Sequence, residues 1–597
     1  ELALTEARIA ERNQDFPRVL SSTEGVGRDL ARGSFASEWE AHLLRSKAFA
    51  GLALPDSALA EGEKALEAVE RVRRGFGSGM LRTTYLSDRQ EVYSHLVSLL
   101  LTQDRISEAF TVSDAARGRA LKEGIGAARA ELPNGLTRGG PDSSVDTQSG
   151  RSATAATLLE AETALLQIDQ LVLSIDYLEG FPREERTKDQ LTELARLYAR
   201  VDSLRTRHGE LTVRASEIDA AQAALLGTAP TRLEDVQYAL LPGQVLVEYL
   251  APPNGSVEGF VLTRSDIHHF RAPISGQNLS SRVRLARELI TRGEPTQGEA
   301  RLVLSGLYEV LLGGVMDTGL VGPGMELLFV PHGALNYLPF TALYDRRAGK
   351  YLAEIYLTRV LPSAGALSVL RPWGGEGSRV PENASVLAPF PDRLPGTVAE
   401  AEAVARGIPR IQSYLGASAT EARLRRELGS HQVVHVATHG VLNPHNPLFS
   451  RLEMAPGGRS GYNDGRFEVH ELFHMDVASP LVFLSGCETA AGPSGTTSFE
   501  RGEDLATLAI AFLYAGARNV IATLWPVEDE GAARFAEAFY RGLRNGSPSL
   551  ALASAQRALL NTEGFREPYH WAAYQLVGGG FVTGPAHKAG AESVQHP

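Results

Sequence analysis

Cys487 is the sole cysteine of this 597-residue chain. It can form no internal disulfide and cannot share a multi-thiolate metal site, which suits a reducing cytoplasm. It is therefore either a small buried hydrophobe or a nucleophile. A cysteine behind an apolar strand is, taken alone, more often core than catalytic. Its setting gives the second reading substance. Leu481-Val482-Phe483-Leu484 reads as a buried strand that stops at Ser485-Gly486-Cys487-Glu488, and Val433–Ala437 as another that stops at Thr438-His439-Gly440. If the two strands are parallel neighbours, His439 and Cys487 emerge together at the carboxyl edge, where open α/β sheets build their sites.

That pair could do acyl-transfer chemistry. A free thiol is mostly protonated at neutral pH, and an adjacent imidazole can take its proton or hold the thiolate as an ion pair. Gly440 and Gly486 allow close backbone approach, and the N–H groups at Gly440, Gly486 and Cys487 are candidate oxyanion donors. The chemistry needs no metal and no cofactor, and no third catalytic member can be named. His435 lies within its strand and reads as structural. His431, His445, His470, His474 and His570 form no ligand pattern.

The elements that must position these groups follow from periodicity. After Pro230, Val245–Leu250, Val257–Leu262 and Ile267–Phe270 read as strands, then helices over Ser281–Arg292 and Arg301–Leu312, then a strand over Leu327–Val330. Strands (Ser385–Leu387, Val433–Ala437, Leu481–Leu484, Val520–Thr523) then alternate with helices. The helices fall at Val398–Arg406, Ala419–Leu428, Glu503–Tyr514, Ala532–Gly542 and Leu550–Leu560. This order implies an α/β domain with a mostly parallel central sheet. Gly516 reads as the residue that ends the helix before it.

Residues 1–130 read as helical hairpins, with 3–4 spacing in Trp39–Leu54, Ala58–Val72, Glu91–Leu101 and Ile106–Leu121. Ala58 with Ala65, and Ala109 with Ala116, are small residues that let paired helices pack closely. The pattern is TPR-like, although an irregular helical domain fits as well. Residues 131–153 read as a flexible linker. Residues 154–228 read as a helical hairpin, with a seam of Leu191, Leu194, Tyr198, Val201, Leu204, His208 and Leu211. The segment 584–597 has no core-forming pattern and reads as a disordered tail.

Composition narrows the function classes. At 43% hydrophobic and 22% charged residues the chain is ordinary globular protein, and no apolar run is long enough to cross a membrane. A net charge of −12 without a basic stripe makes nucleic acid a poor direct partner and suits a protein partner better. The chain begins at Glu1, which reads as a trimmed start or a piece of a longer polypeptide.

Together, Val433–Gly440, Pro447–Leu452 and Leu481–Ala490 resemble the CHAT family, caspase-like peptidases of the clan that includes separase and often attached to tetratricopeptide repeats. The likeness continues through Gly502–Leu505, Ala511–Ala517, Ala522–Val527 and His570–Tyr574, and upstream through Leu246–Tyr249 and Val330–Leu343. It spans residues 229–583. It implies a non-catalytic pseudo-caspase half at 229–390 and a catalytic half at 391–583, with His439 as general base and Cys487 as nucleophile. Gly486 stands where the family has alanine, and Ala490 where it has glycine. Of the caspase signature only Cys487 remains, so cleavage after aspartate is not implied. The resemblance also implies that Ser485 and Trp525 through Glu530, with Glu528 and Asp529 among them, line the pocket for the side chain before the cut. Asp529 resembles the position that receives arginine in separase-like enzymes. Equally, Glu528-Asp529-Glu530 reads as a solvated acidic helix start, and Trp525-Pro526 as a turn. Pro331-His332-Gly333 resembles a degenerate copy of the catalytic strand end.

The implied function is a cysteine endopeptidase cleaving specific protein targets through an acyl-enzyme, in prokaryotic defence or regulated proteolysis. The helical region would recruit the substrate, or a protein activator or inhibitor. A non-catalytic scaffold is the alternative, and a small-molecule hydrolase or acyltransferase a third reading.

Overall fold

The computed structural model describes residues 2–24, 38–74, 90–116, 187–218, 231–292, 297–370, 381–441, 450–457, 463–472, 477–485, 504–544 and 547–580, with a few isolated positions besides. The expected linker 131–153, most of 154–186 and the tail 584–597 lie outside them. The chain divides into two compact units, residues 1–234 and 235–597.

The first unit is helical, with helices Leu2–Arg12, Phe16–Thr23, Glu38–Gly51, Pro55–Arg74, Gln90–Thr102, Ile106–Ala115 and Lys188–Ile218. Three pairs are joined by tight turns whose central residues Gln14, Ala53 and Asp104 have φ of 57°, 56° and 58°. Such a left-handed residue ends one helix and turns the chain into the next. Ala58, Ala65, Ala109 and Ala116 are all buried. Close packing at Ala58 brings Ser46 near enough to donate its hydroxyl to the Ala58 carbonyl at 2.6 Å. The seam of the long helix departs from expectation. Leu191 is exposed, and the buried stripe runs through Leu194, Leu197 and Val201. The helix begins at Lys188, so Leu191 sits in its first turn, ahead of the 3–4 stripe that Leu197 continues.

The second unit is built on one eleven-stranded sheet. Its strands are β1 (Gln244–Leu250), β2 (Ser256–Leu262), β3 (Ile267–Ser275), β4 (Glu326–Val330), β7 (Leu357–Val360), β8 (Asn383–Ala388), β9 (Arg410–Leu415), β10 (Val433–Ala437), β14 (Leu481–Ser485), β15 (Asn519–Thr523) and β16 (Tyr574–Gly578). Between them in sequence lie the ribbon β5 (Tyr344–Asp345) with β6 (Lys350–Tyr351), and a three-stranded sheet of β11 (Gly440–Val441), β12 (Arg451–Glu453) and β13 (Arg466–Glu468). The spatial order is β3-β2-β1-β4-β7-β16-β15-β14-β10-β8-β9.

Most neighbours are parallel. β1, β4, β7 and β16 run one way, while β15, β14, β10, β8 and β9 run the other; the reversal falls at the antiparallel β15–β16 pair. β10 and β14 are buried at every residue, as continuous apolar strands must be when both faces are covered. Val433, Leu481, Phe483 and Ile521 join one large core with the helices Gly276–Thr291, Gln297–Asp317, Gly396–Gly407, Asp529–Leu543 and Pro548–Leu560.

Candidate active site

β10 and β14 are hydrogen-bonded parallel neighbours, with Val433 opposite Leu481 and Ala437 opposite Ser485. The ladder runs one residue further, for the Thr438 N–H donates to the Ser485 carbonyl at 3.1 Å. His439 thus leaves the sheet at the carboxyl edge, half-buried, one position beyond this last bond. Gly486 and Cys487 lie outside the described residues. On the far side of β14 runs β15, with Phe483 opposite Ile521, so Thr523 ends level with Ser485.

The small sheet takes hold of the chain where β10 lets go. Glu453 N–H donates to the His439 carbonyl at 2.9 Å, and the Thr438 hydroxyl donates to the Glu453 carbonyl at 2.5 Å. Gly440 is buried and pairs with Leu452 in an antiparallel ladder. The residues flanking His439 are therefore fixed through the backbone of β12.

Behind this sheet lies a buried ionic cluster that sequence reasoning missed. Glu421, fully buried at the start of the helix Glu421–Leu428, accepts the Gly465 and Arg466 N–H groups at 2.5 and 2.9 Å. Burial, helped by nearby Glu471 and Asp464, pushes its carboxyl above the ordinary range despite those two donors. Arg425 bonds Glu471 at 2.5 Å and lies 5.1 Å over the Phe467 ring. A sequence holds no signal for such a cluster, because its members are distant in the chain.

His435 is buried between three elements, as a structural residue would be. Its Nε2 faces Glu400 at 3.1 Å and its Nδ1 faces the Tyr540 hydroxyl at 2.9 Å. Its ring stacks on Phe483, its partner in the register, at 4.7 Å.

The residues expected to line a specificity pocket have different surroundings. Ser485 is 1% exposed, with its hydroxyl beside the Tyr574 phenol. Trp525 is buried and donates its indole N–H to the Tyr569 carbonyl at 2.9 Å. Asp529 opens the helix Asp529–Leu543 and accepts the Gly396 N–H at 3.0 Å. Glu528 is the exposed N-cap of that helix, 3.9 Å from His570. Burial lowers the His570 imidazole, with Glu528 opposing. Glu530 pairs along the helix with Arg534 at 2.8 Å. Glu528 and Glu530 are both open to solvent, at 62% and 63% side-chain exposure.

His332 lies two residues past the end of β4, as His439 does past β10. It is buried, with Nδ1 at 3.3 and 3.4 Å from the backbone O and N of Ala251. Among the described residues no cluster of His, Cys, Asp and Glu could hold a metal, and no helix is long and apolar enough to cross a membrane.

The family model of the CHAT domain matches residues 301–579. Tetratricopeptide repeat protein 28 of Mus musculus is 27% identical over 353 residues, a match covering 50% of this chain and 14% of that protein. Its Homo sapiens counterpart is 28% identical over 355 residues, with the same coverage. The match thus spans only a small part of these relatives. Among solved structures, the Saccharomyces cerevisiae separase–securin complex aligns with TM-score 0.43 at 11% identity, over 97% of this chain and 49% of that one. The Arg-specific cysteine proteinase gingipain R aligns with TM-score 0.29 at 10% identity, over 51% of this chain and 74% of the other.

Proposed function

From the CHAT domain that residues 301–579 carry, we propose that this chain is a caspase-like cysteine endopeptidase working through His439 and Cys487. One observation supports the reading above the rest: Ala437 faces Ser485 in adjacent parallel strands, and His439 and Cys487 each stand two positions further along their chains. The reading takes the chain to continue past Ser485 as it does past Ala437, which would bring a base and a thiol to one sheet edge, as nucleophilic catalysis requires.

In the proposed reaction the His439 imidazole takes the Cys487 proton. The sulfur attacks a peptide carbonyl, and the N–H groups at Gly440, Gly486 and Cys487 receive the developing oxyanion. Protonated His439 then delivers its proton to the leaving amine. Water, deprotonated by the same imidazole, cleaves the thioester and restores the free thiol. The loop after β15 flanks this edge and forms one wall of the groove. The helical unit recruits the target or a regulatory protein, consistent with regulated cleavage of specific proteins in a reducing cytoplasm.

The test is the rate of Cys487 alkylation against pH in the wild type and in His439→Ala. A sole cysteine makes the signal unambiguous. The reading expects an inflection well below the free-thiol value of about 8.5, lost in the variant. A thiol that reacts only after unfolding, in both proteins, refutes the dyad and favours a scaffold that binds protein partners.

A further inference from the structure

Arg287 stands on the helix Gly276–Thr291, in the half of the unit that holds neither His439 nor Cys487. It is 6% exposed, and no carboxylate among the described residues lies within ion-pair distance of it. Burial lowers its guanidinium to about 10, which leaves it charged at neutral pH. A buried cation without a counter-ion is costly, and its hydrogen bonds must carry the compensation. Both go to backbone carbonyls. Nη1 donates to Tyr337 at 3.1 Å and Nη2 to Leu524 at 3.0 Å, 237 positions away in sequence. The guanidinium also lies 5.5 Å from the Tyr337 ring centroid and 5.7 Å from that of Trp525.

Leu524 is the first residue after β15, and β15 ends level with Ser485. Among the described residues, four hydrogen bonds tie the loop that starts there to other elements. Besides the Arg287 bond, the Leu524 N–H donates to Ala573 at 2.8 Å, the Trp525 indole to Tyr569 at 2.9 Å, and Asp529 accepts from Gly396 at 3.0 Å. Three of these anchors come from the same half as the loop. Arg287 alone comes from the other half.

We propose that Arg287 is a positioning residue through which the non-catalytic half sets the wall of the substrate groove formed by the Leu524–Glu528 loop. It acts on selectivity among substrate side chains and not on the sulfur itself. The proposal rests on the cysteine-peptidase reading for its consequence, and on the two carbonyl bonds for its structure. Lysine would keep the charge but not the rigid fork that spans two carbonyls, and methionine keeps the approximate length while removing every donor.

The experiment compares full-length wild type, Arg287→Lys and Arg287→Met. Cys487 is labelled with iodoacetamide and with peptidyl acyloxymethyl ketones that differ only in the side chain next to the warhead. Amide hydrogen exchange is followed in parallel. In Arg287→Met the ratio of fastest to slowest peptide probe should fall roughly tenfold, while the iodoacetamide rate changes by less than about twofold. Exchange should quicken at 524–528 and not at 433–437 or 481–485. Arg287→Lys should fall between. An equal fall for every reagent, with faster exchange through β10 and β14, overturns the proposal, because Arg287 then merely holds the fold. Unchanged exchange at 524–528 in Arg287→Met overturns it as well. A wild type that takes iodoacetamide but no peptide probe refutes the peptidase reading, and exchange then judges the loop assignment by itself.

Discussion

Replacing His435 by phenylalanine removes a buried imidazole and puts a slightly larger aromatic ring against Phe483. The structure gives the cost piece by piece. Glu400 is 4% exposed, so its carboxyl group loses the partner at 3.1 Å and stays in the core without it. The Tyr540 hydroxyl, 2.9 Å from Nδ1, loses its contact in a fully buried site. Each buried polar group left without its partner costs about 1–3 kcal/mol, so the loss of both contacts costs roughly 2–5 kcal/mol. Removing the stranded carboxyl group as well should therefore restore stability. Glu400→Leu alone leaves an imidazole nitrogen without its acceptor, at about 1–3 kcal/mol. The double variant leaves only the tyrosine hydroxyl, again about 1–2 kcal/mol. The expected order is unusual: the double variant is more stable than His435→Phe alone, by roughly 2 kcal/mol. Urea unfolding followed by tryptophan emission reads this order, since Trp525 and Trp571 lie buried in the same unit. A double variant at or below the sum of the single losses refutes the reasoning, because His435 and Glu400 would then be uncoupled.

Two further outcomes follow from backbone and charge. Gly516 has φ of +119°, and a Cβ there would stand 2.7 Å from the Val477 carbonyl oxygen, so Gly516→Ala should destabilise by about 2–4 kcal/mol, read as a lowered Tm. In the helical unit, burial alone would raise the Glu61 carboxyl, but His42, Lys64 and Arg45 bring it down to about 2. A depressed carboxyl stabilises the fold above its unfolded value of about 4.3 and loses that contribution as pH falls through 2. The Glu61→Gln variant should therefore be less stable by about 1–3 kcal/mol at pH 7 and match the wild type near pH 2 in paired urea titrations.

The strands that carry the candidate chemistry were legible because they are buried on both faces. Val433–Ala437 is bounded as its apolar run predicts, and Leu481–Leu484 gains only Ser485. Three strands of the large sheet gave no such run. β9 (Arg410–Leu415) is a polar, exposed edge strand. β7 includes Arg359, which a sequence reads as a break, yet its guanidinium is buried against Glu326 at 3.0 Å. β16 follows a one-turn helix too closely for its period to stand apart. Gly516 was legible as a helix end, because only a residue tolerant of positive φ serves there. The Glu421 cluster and Arg287 were not legible, since each depends on partners brought together only by the fold.

The polarity reversal at β15–β16 decides which strand ends are presented at each edge of the sheet. His332 and His439 each stand two residues beyond a parallel strand, but β4 and β10 run in opposite directions within one sheet. The same local motif is therefore displayed at opposite edges, and the first half cannot lend His332 to the edge that carries His439. What can reach that edge from the first half is a side chain on a packed helix, whose position is independent of strand polarity. Arg287 is such a side chain: its helix belongs to the first half and its guanidinium ends at the carbonyl of Leu524. A fork that spans two carbonyls is suited to hold both, and one of them opens the loop after β15, the strand that ends level with Ser485.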